Sequence, residues 1–219
     1  LLAASFINDP VSASSLSVSP IRLDVIHPGN TARLTLRNNG QRPMNAQVRV
    51  FKWSALNGKD HFTETRDVVV SPPIASLPAG GEMHIRLLRV SGAPVQGVEN
   101  YRVVVDEIPD ANRVRNVGVT IAIRYALPMF VLSPEATRPQ VTWAVRMIGG
   151  KRVLTATNTG DVHLRIANLT VGNVRVGKGL QGYVLGRSTR HFDLPRNANP
   201  SGTVSADTDQ GKLHASLAR

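Results

Sequence analysis

The 219-residue chain carries 26 Lys and Arg against 15 Asp and Glu, a formal net charge of +11, and contains no cysteine. The absence of cysteine excludes a disulfide scaffold and thiol chemistry. Basic residues are dispersed and aromatic residues make up only 5% of the chain, so the charge gives little support to nucleic-acid binding. The length suits one large β domain or two domains of immunoglobulin size.

The amino-terminal segment 1–13 has features of a processed leader. It runs apolar, meets a polar break at Asn8 to Pro10, and then places Val11-Ser12-Ala13. This triplet fits the small-residue cleavage site that ends a secretory signal peptide. We therefore expect 1–13 to be the remnant of a signal, with a disordered tail as the alternative. No later stretch is an unbroken apolar run of about 18 residues, so no membrane insertion is expected.

Short β segments separated by turn signals follow from Ser14 to about Pro134. The segment LSVSPIRLDVI predicts an edge strand that bulges or changes partner at Pro20. Trp53 ends the alternating segment MNAQVRVFKW and is a candidate aromatic residue for a sandwich core. Asn57-Gly58 predicts a turn in the polar connection that follows. No window shows a convincing helical periodicity, so helix content should be low.

The most regular strand pattern is the stretch 116–131, NVGVTIAIRYALPMFV. From Val117 to Leu127 the odd positions are all apolar, and the even positions are small except Arg124. A period of two places a ridge of bulky side chains on one face of a strand. At a sheet edge, this ridge and the free backbone groups would form a template for another chain. On periodicity alone, an ordinary core strand is the alternative.

A polar, proline-flanked segment at 135–140 interrupts this pattern before alternation restarts. We expect a linker there, between an amino-terminal domain at 14–134 and a smaller carboxy-terminal domain at 141–219. Short strands at regular intervals favour an all-β fold built from immunoglobulin-like β-sandwiches.

Several segments together resemble the PapD-like periplasmic chaperones of the chaperone–usher pilus pathway. They are SPIRLDV, VVVSPPIASLPAGGEMHIRLLR, YRVVVDEIP, RYALPMFVLSP, TNTGDVHLRI and YVLGRSTRHFDLP. The resemblance covers about residues 16–212, and the Tyr-Arg pair in YRVVVDEIP looks like the archaic, or alternative, branch. It implies two immunoglobulin-like domains in an L-shaped arrangement. It also implies a periplasmic protein that caps pilin subunits by donor-strand complementation and delivers them to an outer-membrane usher.

The same resemblance implies roles for particular residues. In such chaperones, alternate side chains of the last strand of domain one fill a groove in the pilin. Burying one such side chain contributes about 1.5 to 3 kcal/mol. The donor residues here would be Val117, Val119, Ile121 and Ile123.

The family also holds the terminal carboxylate of the pilin with two basic residues in the cleft between the domains. Arg22 in SPIRLDV matches the first of these. The lysine that usually supplies the second is absent, and the candidates are Arg102 and Arg124, of which Arg102 is preferred because of the Tyr-Arg pair. Arginine suits this task because its guanidinium binds a carboxylate through two parallel hydrogen bonds. Charged contacts between the domains are typical of the family, and the acidic candidates for them are Glu107, Asp207 and Asp209.

Other chemistry has no support in the sequence. The six histidines are scattered without metal-ligand spacing, and no nucleophile elbow, phosphate loop or dinucleotide motif occurs. We therefore expect no metal, no cofactor, no enzymatic activity and no nucleic-acid partner. The expected partners are pilin subunits and an usher, and self-association of the free form is left open. The alternative is a secreted immunoglobulin-like structural or adhesive module whose last strand completes its own sheet.

Overall fold

The computed structural model describes residues 16–109, 122–195 and 202–218, which contain strands and connections and no helix. The segment 1–13, predicted to be a signal remnant, lies outside the described residues. So do three of the four predicted donor residues, Val117, Val119 and Ile121.

The described residues form eighteen strands, which are distributed over four sheets. The first ten are β1 (Leu16–Ser19), β2 (Leu23–Ile26), β3 (Thr31–Asn38), β4 (Met44–Leu56), β5 (Lys59–Glu64), β6 (Val68–Ser71), β7 (Ile74–Leu77), β8 (Glu82–Arg89), β9 (Val98–Ile108) and β10 (Arg124–Leu132). The remaining eight are β11 (Val141–Ile148), β12 (Lys151–Asn158), β13 (Leu164–Val171), β14 (Val174–Arg175), β15 (Leu180–Val184), β16 (Ser188–Asp193), β17 (Thr203–Thr208) and β18 (Gly211–Ser216).

Strands β1 to β10 form the first domain, a sandwich of two sheets. One sheet has the order β1-β3-β8-β6, and the other has the order β2-β10-β9-β4-β5 with β7 beside β4. Alternate residues of each strand point inward, and fully buried side chains such as Leu34, Ile85, Val103 and Met129 fill the space between the sheets. The period-two alternation of the sequence therefore produces the expected sandwich.

The chain changes sheets at Pro20. Before it, β1 pairs antiparallel with β3. After it, β2 pairs parallel with β10 in the opposite sheet. The partner change predicted at this proline is confirmed, because a residue without a backbone N–H cannot continue a ladder.

This switch leaves part of β10 uncovered. Strand β2 covers only Met129 to Leu132 of β10. The preceding residues, Arg124 to Pro128, pair with β9 on one side, and no strand among the described residues pairs with their other side. Strand β10 therefore lies at a sheet edge in its first part, Arg124 to Pro128, and becomes an internal strand in its second part.

Strands β11 to β18 form the second immunoglobulin-like domain. Its sheets have the orders β11-β12-β16 and β14-β13-β17-β18, with β15 beside β13, and Trp143, Leu154 and Ile166 lie in its core. The last strand of the first domain ends at Leu132 and the first strand of the second begins at Val141. The linker predicted at 135–140 falls between these strands, and its exact bounds remain a prediction.

A buried asparagine closes the same kind of turn in each domain. The amide nitrogen of Asn38 donates to the carbonyl oxygens of Arg42 at 2.7 Å and Pro78 at 3.0 Å, and its side-chain oxygen accepts from the backbone N–H of Gly40 at 2.9 Å. Asn158 makes the matching set in the second domain, including a bond from the N–H of Gly160. Both side chains are buried and fully used, so neither amide can be replaced by an apolar group without stranding backbone carbonyls.

Substitution of the first of these asparagines should destabilise the protein. We expect Asn38→Ala to lower the free energy of unfolding by about 1 to 3 kcal/mol, because it leaves buried carbonyl oxygens without donors. Urea denaturation would measure the change. The neighbouring Asn39 is exposed and bonds only to the Ser17 hydroxyl among its described contacts, so Asn39→Ala is the matched control. Equal effects of the two substitutions would contradict the assignment.

Candidate functional site

An aromatic cluster joins the two domains. Trp53 and Phe130 lie on the outer face of the β4-β9-β10 sheet, and Tyr183 and Leu185 cover them from the second domain. The Trp53 ring centroid lies 6.0 Å from that of Phe130 and 5.5 Å from that of Tyr183, which meets it edge-on. Trp53 is therefore buried, as predicted, but the prediction that it lies inside a sandwich core is wrong. It belongs to the opposite face of its strand, where Phe62 and Arg102 of its own domain and Tyr183 of the second domain cover it.

The β4–β5 hairpin supports this contact at its tip. Asn57 and Gly58 form the predicted turn with φ values of 51° and 75°. The Gly58 carbonyl accepts the backbone N–H of His191 at 2.9 Å, and a Cβ at Gly58 would lie 2.1 Å from the His191 ring. Beside it, Asp60 accepts from the Trp53 indole at 3.0 Å and from Arg190 at 2.6 Å. A close backbone approach and a partly buried ion pair thus fix one domain against the other.

Arg22, the first predicted anchor, lies at one end of this cluster, in the connection between β1 and β2. Its guanidinium carbon is 5.5 Å from the centre of the Phe130 ring. Its Nε lies 2.8 Å from an oxygen of Asp24, and its Nη1 lies 3.0 Å from Asp209 of the second domain. Burial lowers the pKa of Arg22, but the two carboxylates outweigh burial and raise it. Arg22 is therefore fully charged, with about a third of its side chain exposed.

Arg102, the preferred second anchor, lies at the other end. Its guanidinium carbon is 4.0 Å from the centre of the Trp53 ring and 5.3 Å from that of Phe62. Nη1 donates to the Ala126 carbonyl at 3.3 Å, while Nε is buried without a hydrogen-bond partner. Burial and the nearby Arg190 lower the pKa of Arg102. Within the described ranges no carboxylate lies at salt-bridge distance from Arg102, so a partly desolvated cation faces the cleft without an ion-pair partner.

The third candidate, Arg124, lies apart from the cluster. Its row in the sheet is four residues from the row of Arg102, because Arg124 pairs with Asp106 and Pro128 pairs with Arg102. Four residues of strand span about 13 Å. Arg124 forms an ion pair with Asp106, which also binds Arg49 at 2.6 Å. Although burial raises the pKa of the Asp106 carboxyl, these arginines outweigh it and hold the pKa below its usual value. The structure thus brings Arg22 and Arg102 to one cluster and leaves Arg124 outside it.

Ile123, the remaining predicted donor residue, lies directly before β10 and hydrogen-bonds with Glu107 of β9. Its carbonyl accepts the N–H of Glu107 at 3.0 Å, and its own N–H lies 3.4 Å from the Glu107 carboxylate. Beyond it the odd positions turn into the protein's own sandwich, where Tyr125 packs on the core and Leu127 is part of it. Tyr125 also donates to the Leu16 carbonyl at 2.7 Å. The donor assignment therefore concerns only residues up to Ile123.

Asp209 connects Arg22 to the interior of the second domain. One of its carboxylate oxygens accepts the backbone N–H of Arg165 at 3.1 Å, and the other lies 3.5 Å from Nε2 of His163. The His163 ring is completely buried and stacks on Phe130 with a centroid separation of 3.7 Å. Burial raises the pKa of the Asp209 carboxyl, but the contacts with His163, Arg165 and Arg22 outweigh burial and lower the pKa to about 2.

Comparison with known proteins identifies the family to which this chain belongs. The family model for the pili and flagellar-assembly chaperone, PapD N-terminal domain, matches residues 15–137, more than half of the chain. The chain belongs to this family. Its members are assembly chaperones without catalytic activity, and the protein is not an enzyme. No curated protein matches the sequence of this chaperone significantly.

Solved structures share the complete two-domain fold. A chain of the CsuC–CsuE chaperone–tip adhesion subunit pre-assembly complex, from the archaic Csu pili of Acinetobacter baumannii, is 24% identical with a TM-score of 0.80, covering 94% of the present chain and 100% of its own. The Escherichia coli chaperone DraB is 22% identical with a TM-score of 0.67, covering 93% and 99%. A chain of the Salmonella enterica SafA pilin–SafB chaperone complex is 18% identical with a TM-score of 0.70, covering 94% and 97%.

Two further observations bear on cofactors and membranes. The described part of the chaperone contains no group of His, Asp or Glu residues arranged to hold a metal ion. Within the same ranges, no helix has the length and apolar character needed to cross a bilayer.

Several residues of the site were not predicted as members of it. Asp209 was a candidate for a domain contact without an identified partner, and the structure supplies Arg22 as that partner. Asp207, the neighbouring candidate, instead contacts Asn168 and Lys212 within its own domain. Tyr183 and His163 carry no sequence signal that separates them from ordinary core residues.

The lowered pKa of Asp209 predicts a pH-dependent contribution to stability. A carboxylate whose pKa is lowered by folding stabilises the protein above its unfolded pKa and loses this effect as the pH falls through its folded pKa. We expect wild type to be more stable than Asp209→Asn by a constant amount above about pH 5, and this difference to vanish between about pH 4 and pH 2. Urea denaturation of both proteins across this range would measure it. A difference that grows on acidification would contradict the assignment.

Proposed function

We propose that the protein is a periplasmic chaperone that captures pilus subunits by donor-strand complementation and delivers them to an outer-membrane usher. Residues Val117, Val119, Ile121 and Ile123 supply the apolar side chains that enter the subunit. Arg22 and Arg102 bind the terminal carboxylate of the subunit.

The observation that carries this proposal is the position of Arg22 and Arg102 beside an open strand edge. Each guanidinium lies over one ring of the same pair, Phe130 and Trp53. The Arg102 side chain also donates to the carbonyl of Ala126, which lies in the part of β10 that β2 leaves uncovered. A chain that adds to this edge therefore reaches both cations, and a carboxylate there would relieve the cost of desolvating Arg102.

The solved neighbours support the same partner class. Two of them are complexes, one with a tip adhesion subunit and one with a pilin. Of the three solved structures described above, the one from archaic pili has the highest TM-score. This supports the archaic branch suggested by the Tyr-Arg pair. The family match argues against the alternative of a structural or adhesive module.

The donor residues can be tested by placing a charge on the apolar ridge. We expect Ile121→Asp to abolish recovery of soluble pilin when both proteins are expressed in the periplasm, because a carboxylate would have to enter an apolar groove without a partner. Affinity purification of the tagged chaperone, with mass spectrometry of the co-eluting subunit, would measure the yield.

Thr120→Asp is the matched control for the donor test. It adds the same charge to the neighbouring position, which would face the opposite side of the proposed donor strand because side chains alternate in an extended chain. We expect it to retain most of the pilin. Unchanged pilin recovery with Ile121→Asp would show that Ile121 does not enter the subunit.

The anchor can be tested by removing one guanidinium. Arg22→Ala should prevent pilin capture while the chaperone still folds, because the subunit carboxylate would lose a charge-assisted partner. Arg33→Ala removes the same charge from an exposed position on the β1-β3-β8-β6 sheet, opposite Arg86, and should leave capture unchanged. Co-purification yields and circular dichroism of both variants would be compared with wild type. Wild-type capture by Arg22→Ala would contradict the anchor.

A further inference from the structure

A carboxylate of the protein itself already occupies the anchor. Arg22 offers two edges on which a carboxylate can form paired hydrogen bonds, the side edge that includes Nε and the end edge that includes Nη1. Asp24 lies 2.8 Å from Nε, and Asp209 lies 3.0 Å from Nη1. Both edges of the guanidinium are therefore engaged in the absence of a subunit.

The two carboxylates differ in what they lose when Arg22 turns away. Asp24 lies on β2, two residues after Arg22 in the chain, and its side chain is 41% exposed, so water can solvate it. Asp209 comes from the second domain and is 21% exposed. It keeps two other contacts without Arg22, the backbone N–H of Arg165 and the His163 ring. Release of Arg22 therefore leaves Asp209 with a donor even though it is partly buried.

We propose that Asp209 is a built-in competitor that occupies the Nη1 edge of Arg22 and weakens the affinity of the anchor for a carboxylate. This inference rests on the proposed function of Arg22. An incoming carboxylate that binds the Nη1 edge must displace Asp209, and each such binding event exchanges one ion pair for another of the same type. Asp209 thereby determines how tightly the terminal carboxylate of a guest is held, and it makes that carboxylate easier to release.

The exchange also couples the anchor to the contact between the domains. The Arg22–Asp209 pair joins residues 187 positions apart in the chain, one from each domain. A carboxylate bound at Arg22 removes this link, while the link from Asp60 to Arg190 at the far side of the cluster remains. The domains therefore stay joined through the hairpin when the anchor is filled.

The test measures carboxylate binding at Arg22 directly, with sodium acetate as the probe and sodium chloride at equal ionic strength as the reference. Side-chain NMR signals of ¹⁵N-labelled arginine would report binding at Arg22 in the full-length protein. We expect Asp209→Asn to bind acetate at least about threefold more tightly than wild type. Asp207→Asn is the matched control, because it removes the same charge two residues before Asp209, from β17, and Asp207 contacts Lys212 and Asn168 instead of Arg22. It should bind acetate as wild type does.

The outcomes separate this inference from the proposed function. Equal acetate affinities in wild type, Asp209→Asn and Asp207→Asn would overturn the competitor role, while capture of pilin that depends on Arg22 would still stand. Equal tightening by Asp209→Asn and Asp207→Asn would also overturn it, because the effect would then reflect net charge alone. If Arg22→Ala captures pilin normally, the anchor itself fails. Backbone NMR spectra of Asp209→Asn would establish that its fold is retained, and Asp209→Glu, which keeps the charge, should restore weak acetate binding.

Discussion

The crossing of the chain from one sheet to the other at Pro20 is the constraint on which the site depends. Strand β1 pairs in the opposite sheet, and only the short β2 lies beside β10. The pairing therefore covers only the last four residues of β10. If β1 and β2 formed one continuous strand beside β10, the edge from Arg124 to Pro128 would be paired within the protein and could not pair with another chain. The same crossing places Arg22 in the short connection between β1 and β2, next to the point where the unpaired edge of β10 ends. One backbone irregularity thus creates both the edge and the position of the cation beside it.

The second constraint is the aromatic contact between the domains, which keeps two cations in place without neutralising both. Rings attract cations through their faces, and this attraction strengthens when water is excluded. Arg102 lies over Trp53 with no ion-pair partner in the described part of the chain, whereas Arg22 lies near Phe130 and is paired twice. The two arginines therefore differ in whether a carboxylate of the protein already pairs with them. Arg102 is a partly desolvated charge without a carboxylate partner among the described residues, and Arg22 is held by two carboxylates.

Much of this architecture follows from patterns that the sequence displays. Period-two alternation predicts the strands, the proline in SPIRLDV predicts the partner change, and Asn57-Gly58 predicts the hairpin turn that contacts His191. The anchor role of Arg22 and Arg102 comes from the family resemblance and stays a prediction; the structure shows that both side chains lie at the aromatic cluster. The sequence pattern does not show which faces of distant segments contact each other. Alternation tells that Trp53 and Lys52 face opposite sides, but it does not tell that the second domain covers Trp53. Asp209 could be listed as a domain contact, but its partner lies 187 positions away, and no local pattern encodes that pair.

The parallel register of β2 with β10 has a geometric consequence for any guest. Leu23 lies opposite Met129 and Ile26 lies opposite Leu132, so β2 runs in the same direction as β10. A guest strand on the uncovered edge that brings its last residue to Arg22 must also run in this direction, and it ends where β2 begins. Guest and β2 would then lie end to end along one side of β10, as two consecutive segments of a single interrupted strand. An antiparallel guest would instead present its amino end to the arginines, so under the proposed function the direction in which β2 leaves the crossing would set the polarity of the captured chain.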